Sequence, residues 1–311
     1  VKCVSDTRPP FYEITEVKPL NNATPHALFI DLGASASDVW VMNDGYWGIA
    51  VTEGQRYNFQ FYLFTEELKN TVVTAALLDR EEQIVVSKNF QIERDGSWNH
   101  YEGTFTVDTT ANDLRFALLL PHKGKVYIDF VSMFPENTFC GHKNGLREDV
   151  AGMLRDLRPD FVRWPGGCIV EGLTMDNRIK WKETIGDIVK RPGEYNLWGY
   201  RSTYGFGYHE FLQFCEDIDA DGMFVCNAGM SCLFRNGDYW EEENRIDNLI
   251  QDALDAIEYA LGDTTTVYGK RRAENGHAAP FPLKYVEVGN ENVGLRYVKN
   301  YNRFYKAIKE K

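Results

Sequence analysis

The sequence predicts two domains of different fold class, a β-sandwich of jelly-roll type over residues 1–136 and an α/β domain with a parallel sheet over residues 137–311. In the first part, short runs of β-branched and aromatic residues are separated by turn signals, which is typical of a sandwich. In the second part, strand-like and helix-like runs alternate, which is typical of βαβ units. The length of 311 residues agrees with two domains.

The strands of the first part are predicted from period-two alternation, clearest at residues 57–61, where Tyr57, Phe59 and Phe61 alternate with Asn58 and Gln60. Similar runs cover residues 71–78, 99–107, 114–120 and 125–131. No helical pattern of any length interrupts them. Short antiparallel strands at this regular spacing favour a jelly-roll.

The elements of the second part follow from changes in periodicity after Pro135. Helices are predicted over residues 144–157, 208–218, 244–261 and 295–308, and strands over 161–164, 222–226 and 285–288. The first helix places Leu146, Val150, Met153, Leu154 and Leu157 on one face, which predicts that this face is buried.

Each of these strands is followed by a polar or Gly-rich loop: Pro165-Gly166-Gly167-Cys168, Asn227-Ala228-Gly229 and Gly289-Asn290-Glu291-Asn292. In a parallel β/α fold such loops lie on one face, where barrel active sites are found. A doubly wound fold also fits the pattern, but no G-x-G-x-x-G follows a strand, which disfavours dinucleotide binding.

The net charge, hydropathy and cysteine spacing disfavour several classes of binding partner. The net charge of −12 disfavours nucleic acid, because an acidic surface repels phosphate. No apolar run reaches transmembrane length, so no membrane partner is expected. The six cysteines form no C-x-x-C pair, so no metal site and no redox site is predicted, and no cofactor is expected.

Glu291 is the first catalytic candidate because it follows a buried-looking strand. Partial desolvation there would raise its pKa, which suits a general acid, and Asn290 beside it could donate to a sugar hydroxyl. The alternative interpretation is that the Asn-Glu pair only caps the next helix.

Arg163 and an aromatic loop are the next candidates. Arg163 could orient a carboxylate or hold a hydroxyl, or it could form a structural ion pair.

Trp198, Tyr200 and Tyr204 lie in a Gly-rich loop that is predicted to form a wall of the substrate site, with packing against the sandwich as the alternative.

The segment 161–172, FVRWPGGCIVEG, closely resembles a signature segment of glycoside hydrolase family 51 α-L-arabinofuranosidases. Residues 193–199, 208–217, 227–229, 275–277 and 285–291 also resemble the family, in order and at matching spacing, so that the resemblance runs from about Glu136 to the C-terminus. Residues 46–51 and 126–129 resemble the carbohydrate-binding-module-like sandwich of the plant-type branch.

The resemblance implies that residues 137–311 form strands two to about four of a (β/α)8 TIM barrel. It implies a retaining enzyme that releases terminal arabinofuranosyl residues, with Glu291 as general acid/base. The implied substrate-binding residues are Asn290, Arg163, Cys168, Trp198 and Asn227. Two positions depart from the family: Cys168 replaces an asparagine of many relatives, although cysteine is usual in the plant-type branch, and Tyr204 replaces an expected aspartate.

The resemblance also implies that the chain is incomplete at both ends. The motif of the first barrel strand is not found upstream of the sandwich, and the nucleophile of the family follows strand seven. The chain alone is therefore expected to be inactive. The implied substrate is an arabinofuranosyl-containing polysaccharide such as arabinan or arabinoxylan, which favours an extracellular or periplasmic location over a cytoplasmic one.

Two other functions stay open from the sequence. One is another glycosidase of the same clan, a xylanase or xylosidase, against which the Pro165-Gly166-Gly167-Cys168 segment argues. The other is a non-catalytic carbohydrate-binding protein, in which the sandwich does the binding.

Overall fold

The computed structural model describes residues 1–3, 10–34, 37–43 and 45–311, and for residues 2, 3 and 34 it describes the backbone only. The chain divides into two compact units, Val1–Ala151 and Gly152–Lys311. The strand-rich region ends at Pro135, next to the predicted domain boundary.

The first unit is built from antiparallel strands, as the alternation of the sequence predicts. In chain order they are β1 (Lys2–Cys3), β2 (Phe11–Thr15), β3 (Ala27–Asp31), β4 (Val39–Asn43), β5 (Ile49–Val51), β6 (Arg56–Glu66), β7 (Val72–Leu78), β8 (Ile84–Gln91), β9 (Trp98–Thr106), β10 (Ala111–Leu120) and β11 (Lys125–Pro135).

These strands form two sheets, with the orders β1-β4-β10-β7-β8, where β5 also pairs with β10, and β2-β3-β11-β6-β9. Strand β6 shows how the sequence positions the core: Tyr57, Phe59, Phe61 and Leu63 are buried at alternate positions. Phe59 stacks on Phe105 with ring centroids 4.2 Å apart. The aromatic residues at the period-two positions are therefore core, and the predicted sandwich is confirmed.

The second unit alternates helices with parallel strands. In chain order its elements are α1 (Glu148–Asp156), which begins in the first unit, β12 (Phe161–Trp164), α2 (Gly167–Glu171), β13 (Glu194–Tyr195), β14 (Arg201–Ser202), α3 (Tyr208–Asp217), β15 (Asp221–Cys226), α4 (Glu243–Leu261), α5 (Val267–Glu274), β16 (Leu283–Val288) and α6 (Gly294–Glu310).

Strands β12, β15 and β16 form a three-stranded parallel sheet with β15 in the centre. Helices α3 and α4 cover it with an apolar core that includes Tyr208, Phe211, Phe224 and Ala253. The parallel β/α arrangement predicted from the alternation is confirmed. None of the described helices is long and apolar enough to cross a membrane.

Helix α1 corrects one prediction. It is shorter than the expected 144–157, and the face that was expected to be buried is exposed, with Met153 at 72% and Leu157 at 75%. Only Ala151 of this helix is buried. A 3.6-residue period shows which face a helix would bury, but it does not supply the surface that covers that face.

Candidate active site

The loops after β12, β15 and β16 meet at one edge of the parallel sheet, as parallel strand direction requires. The Gly289 N–H donates to the carbonyl of Cys226 over 2.8 Å. The Asn227 amide donates to the carbonyl of Val170 over 2.9 Å, and the Asn290 amide to the Glu171 carboxylate over 3.2 Å. The three polar loops predicted from the sequence thus form one cluster, at the end of the strands where barrel active sites lie.

Arg163 fixes the centre of this cluster. Its Nε and Nη2 donate to the two carboxylate oxygens of Glu287, over 2.6 Å each. Its Nη2 also donates to Oδ1 of Asn290 over 2.9 Å. Arg163 therefore forms the ion pair of the structural interpretation and also holds the Asn290 amide, while a direct role of Arg163 toward substrate stays a prediction.

Asn290 is held from both ends of its amide. Its Oδ1 accepts from Arg163, and its Nδ2 lies 3.2 Å from Glu171 and 3.5 Å from Glu291. The side chain is only 8% exposed. This amide therefore has a fixed orientation and bridges two carboxylates.

Glu291 differs from the sequence-based expectation in one respect. It is exposed rather than half-buried. Its backbone has φ of 50°, an uncommon left-handed conformation for a non-glycine residue, which often marks a functional position. Gly289, two residues earlier, has φ of 76°, a conformation that favours glycine, and a Cβ there would lie 3.1 Å from the Cβ of Ala228.

The capping interpretation of the Asn-Glu pair is wrong. Helix α6 begins after Val293, and no side chain caps its N-terminus. Instead, Oδ1 of Asn292 accepts from the backbone N–H of Asn290 over 3.3 Å. These polar residues shape the loop and leave the Glu291 carboxylate pointing into solvent-accessible space.

From the sequence, Glu171 is only the first suspect for a nucleophile should the chain alone prove active, and it is not among the predicted catalytic or substrate-binding residues. It is 1% exposed, and its two oxygens accept from Asn290 and from Asn292, the latter over 2.9 Å. Burial raises the pKa of this carboxyl, and the negative charge of Glu291 raises it further. The available signal was a single acidic residue in the apolar run that follows Cys168.

Two cysteines join Glu171. The sulfurs of Cys168 and Cys232 and a carboxylate oxygen of Glu171 all lie within 4.8 Å of one another. Burial raises the pKa of the Cys168 thiol to about 12. Cys232 is 1% exposed, and Cys168 is partly exposed. Cys232 is far from Cys168 in the chain, so its presence here could not be predicted from spacing.

Asn227 builds the loop after β15. Its Nδ2 donates to the carbonyls of Val170 and Met230, and its Oδ1 accepts from the N–H groups of Gly229 and Met230. These four bonds use the hydrogen-bonding capacity of the amide. A direct contact of Asn227 with substrate stays a prediction, and it would require one of these bonds to break.

The aromatic loop is a short hairpin of β13 and β14. Trp198 and Tyr200 are exposed at 53% and 51%, and the Arg235 guanidinium lies 5.0 Å from the Trp198 ring. Tyr204 is 4% exposed, so it is a core residue and not part of a substrate wall. Trp198 stays a predicted substrate-binding residue.

Comparison with known families shows which family the chain belongs to. Residues 153–311 match the model described as "Alpha-L-arabinofuranosidase 1 domain", which is about half of the chain. The chain belongs to the α-L-arabinofuranosidase family. Residues 34–124 match a model described as "Carbohydrate binding domain", in agreement with the predicted sandwich.

Members of the α-L-arabinofuranosidase family are identical to this chain at about a third of the aligned residues. Alpha-L-arabinofuranosidase 1 of Arabidopsis thaliana is 37% identical over 89% of this chain and 40% of its own length. An extracellular exo-α-L-arabinofuranosidase of Streptomyces chartreusis is 36% identical over 90% of this chain and 34% of its own length.

A solved structure supports the arabinofuranosidase fold of the whole chain. An arabinose-bound family GH51 α-L-arabinofuranosidase matches with a TM-score of 0.88 and 28% identity, over 99% of this chain and 50% of the other. The chain therefore spans about half or less of the relatives that it matches. The predicted resemblance and fold class, a sandwich followed by part of the family 51 catalytic domain, are confirmed.

Proposed function

We propose that this chain is the part of a retaining α-L-arabinofuranosidase that supplies the general acid/base, Glu291. The observation that carries the proposal is the arrangement at the end of β16, where an exposed carboxylate follows an amide that Arg163 holds in place. An exposed carboxyl group can reach a glycosidic oxygen, and the neighbouring amide can bind a sugar hydroxyl.

Glu291 would act twice in this mechanism. In the first step its carboxyl group protonates the leaving oxygen while a second carboxylate attacks the anomeric carbon. In the second step the Glu291 carboxylate removes a proton from water, which then displaces the enzyme carboxylate. Asn290 would hold the ring hydroxyl next to the reacting carbon, in the orientation that Arg163 fixes.

The retaining mechanism also needs a second carboxylate, which acts as the nucleophile. Glu287 is bound on both oxygens by Arg163, and Glu171 is 1% exposed with both oxygens bound by amides. Because Glu171 is buried and Glu287 is held by the Arg163 fork, neither carboxylate is positioned to attack a sugar. A retaining pair needs a separation of about 5–5.5 Å across the substrate. We therefore place the nucleophile in a part of the catalytic domain that the present 311 residues do not include.

The substrate class is tested by hydrolysis in a protein that joins this chain to the remaining part of the family 51 catalytic domain. Aryl α-L-arabinofuranoside should be the best substrate, and aryl β-D-xyloside should be poor. A preference for the xyloside would favour another glycosidase of the same clan. An extracellular or periplasmic location agrees with a polysaccharide substrate and stays part of the proposal.

A second function, sugar binding by the sandwich, is favoured by one observation. A polar groove of about 590 Å³ crosses β6, β9 and β11 and is lined by Gln60, His100 and Glu102. In affinity electrophoresis through arabinoxylan, the double variant Gln60→Ala/His100→Ala should then lose retardation, whereas Glu291→Gln should keep it. The opposite result would place binding at the active site alone.

A further inference from the structure

The cluster of Cys168, Glu171 and Cys232, which we call the thiol–carboxylate cluster, contains a buried acid without a cationic partner. The oxygens of Glu171 accept hydrogen bonds from Asn290 and Asn292, which are neutral. Among the hydrogen bonds and ion pairs of the described residues, none joins Glu171 to a lysine or an arginine. Buried carboxylates in proteins are usually paired with a cation or bound to a metal.

The backbone brings three donor atoms to one point. Cys168 and Glu171 are three residues apart on the single turn α2, a spacing that places two side chains on the same side of a helix. Cys232 arrives from the loop after β15, where its N–H donates to the carbonyl of Gly172 over 3.0 Å. Its own carbonyl accepts from the N–H groups of residues 235, 236 and 237, so that this turn is well defined.

The distances suit a small tetrahedral site. Zinc binds thiolate at about 2.3 Å and carboxylate at about 2.0 Å, so ligand atoms in a tetrahedral site lie roughly 3.5–3.8 Å apart. The three donor atoms lie within 4.8 Å of one another. To bind a zinc ion, the three donor atoms would therefore have to move toward one another by less than a change of side-chain rotamer moves them.

We propose that Cys168, Glu171 and Cys232 form a binding site for a thiophilic divalent cation, best fitted by Zn²⁺. Two thiolates and one carboxylate are ligands that zinc accepts, and three protein ligands leave a fourth position for water. Binding releases the two thiol protons to solvent and forms two zinc–sulfur bonds and one zinc–oxygen bond. Because Cys168 is partly exposed, the ion can enter from its side.

The surroundings of the cluster resemble the outer shell of metal sites. Asn290 and Asn292 each hold one oxygen of Glu171, which would orient the carboxylate before the ion arrives. The spacing of the cysteines in the sequence does not predict this site, because one ligand is a glutamate and Cys232 comes from a different loop. The site goes beyond the proposed hydrolysis, which needs no metal, although it shares Cys168 with the implied substrate-binding residues and borders Asn290.

The test uses Co²⁺ as a spectroscopic probe on the 311-residue chain, reduced and freed of metal. Titration should produce thiolate-to-cobalt charge transfer in the near ultraviolet and the intense visible bands of tetrahedral cobalt, with one ion bound per chain. Added Zn²⁺ should bleach both. Cys232→Ser and Glu171→Gln should weaken Co²⁺ binding at least tenfold, and Cys140→Ser, at an exposed cysteine outside the cluster, should leave it unchanged.

Cys168→Ser provides a second ligand variant at a partly exposed position, in case Cys232→Ser does not fold. A chain without tetrahedral cobalt bands overturns the proposal. So do bands that survive both cysteine variants of the cluster, or that disappear in Cys140→Ser. The readout needs no sugar, so it is independent of the proposed hydrolase activity.

Discussion

Among single residues, Arg163 connects the structural and chemical parts of the site because it holds Glu287 and Asn290 at once. Arg163→Lys keeps the charge but loses the planar fork, so it cannot hold both groups. In the complete catalytic domain we expect kcat/KM to fall about 10- to 100-fold with a small change in unfolding midpoint. Lys284→Ala, which removes an exposed pair with Asp221, is the control. Wild-type kinetics in folded Arg163→Lys would reduce Arg163 to an ion pair.

Asp129 in the sandwich gives a pH-dependent prediction. Its Oδ2 is buried without a hydrogen-bond partner, and burial raises the pKa of this carboxyl. The pKa of the Asp129 carboxyl is higher in the folded state than in the unfolded state. The contribution of this group to the free energy of unfolding is therefore fully present at low pH and is lost as the pH rises through the folded-state pKa. Asp129→Asn should therefore gain stability relative to wild type as the pH rises.

Urea unfolding at several pH values between about 4 and 8 measures this trend. Asp108→Asn, at an exposed position in the same unit, is the matched control. A difference in unfolding free energy between Asp129→Asn and wild type that stays constant over this range would show that the Asp129 carboxyl titrates normally.

The sequence predicted only those site residues that lie at or next to the ends of predicted strands. Arg163, Asn290 and Glu291 flank predicted strands, and the structure brings them together. Glu171 and Cys232 are not among the predicted catalytic and substrate-binding residues, because their burial depends on contacts between separate loops. The exposure of Glu291 also could not be predicted, since it depends on which elements cover the loop.

At the level of secondary-structure elements, hydrophobic periodicity predicted the first and last residues of most helices and strands to within a few positions. The helix predicted at 244–261 is α4, Glu243–Leu261, and the strand predicted at 285–288 is part of β16, Leu283–Val288. Helix α5 was missed because its sequence, VYGKRRAE, carries no apolar stripe. Helix α2 was missed because Gly166-Gly167 indicates a turn.

Helix α5 is held to α4 by Arg272, a fully buried cation. Its guanidinium donates to four carbonyls, two of them on Tyr259 and Ala260 at the C-terminus of α4. Carbonyls at a helix C-terminus attract a positive charge. Arg272→Met leaves them unpaired and should cost more than about 2 kcal/mol of unfolding free energy.

Arg271→Met, at an exposed neighbouring position over the Tyr268 ring, is the matched control and should change stability by less than about 0.5 kcal/mol. Both are measured by denaturant unfolding of the 311-residue chain. Equal stability of the two variants would mean that water replaces the guanidinium at these carbonyls.

At the level of the whole molecule, the second unit leaves apolar surface exposed. Phe161 on β12 and Tyr285 on β16, the two outer strands of the parallel sheet, are 47% and 41% exposed. Helix α6 carries an exposed stripe that includes Leu295 at 90% and Val298 at 51%. Exposed apolar patches and open sheet edges favour association.

We therefore predict that the 311-residue chain alone has no measurable turnover on an aryl α-L-arabinofuranoside and associates in solution. We expect no activity because, of the two carboxylates near Glu291, Glu287 is paired with Arg163 and Glu171 is buried. Activity assays and light scattering measure the two effects. Normal turnover would mean that a nucleophile lies within the chain, and loss of that turnover in Glu171→Gln would identify it as Glu171.

The most direct test of Glu291 as acid/base is the leaving-group dependence of Glu291→Ala in the complete catalytic domain. Substrates with poor leaving groups should lose nearly all activity, whereas those with very good leaving groups should keep a fast first step because they need no proton. Added azide should restore turnover and give an arabinosyl azide of retained configuration, and Glu310→Ala should behave as wild type. Equal losses on good and poor leaving groups, without an azide product, would contradict the account.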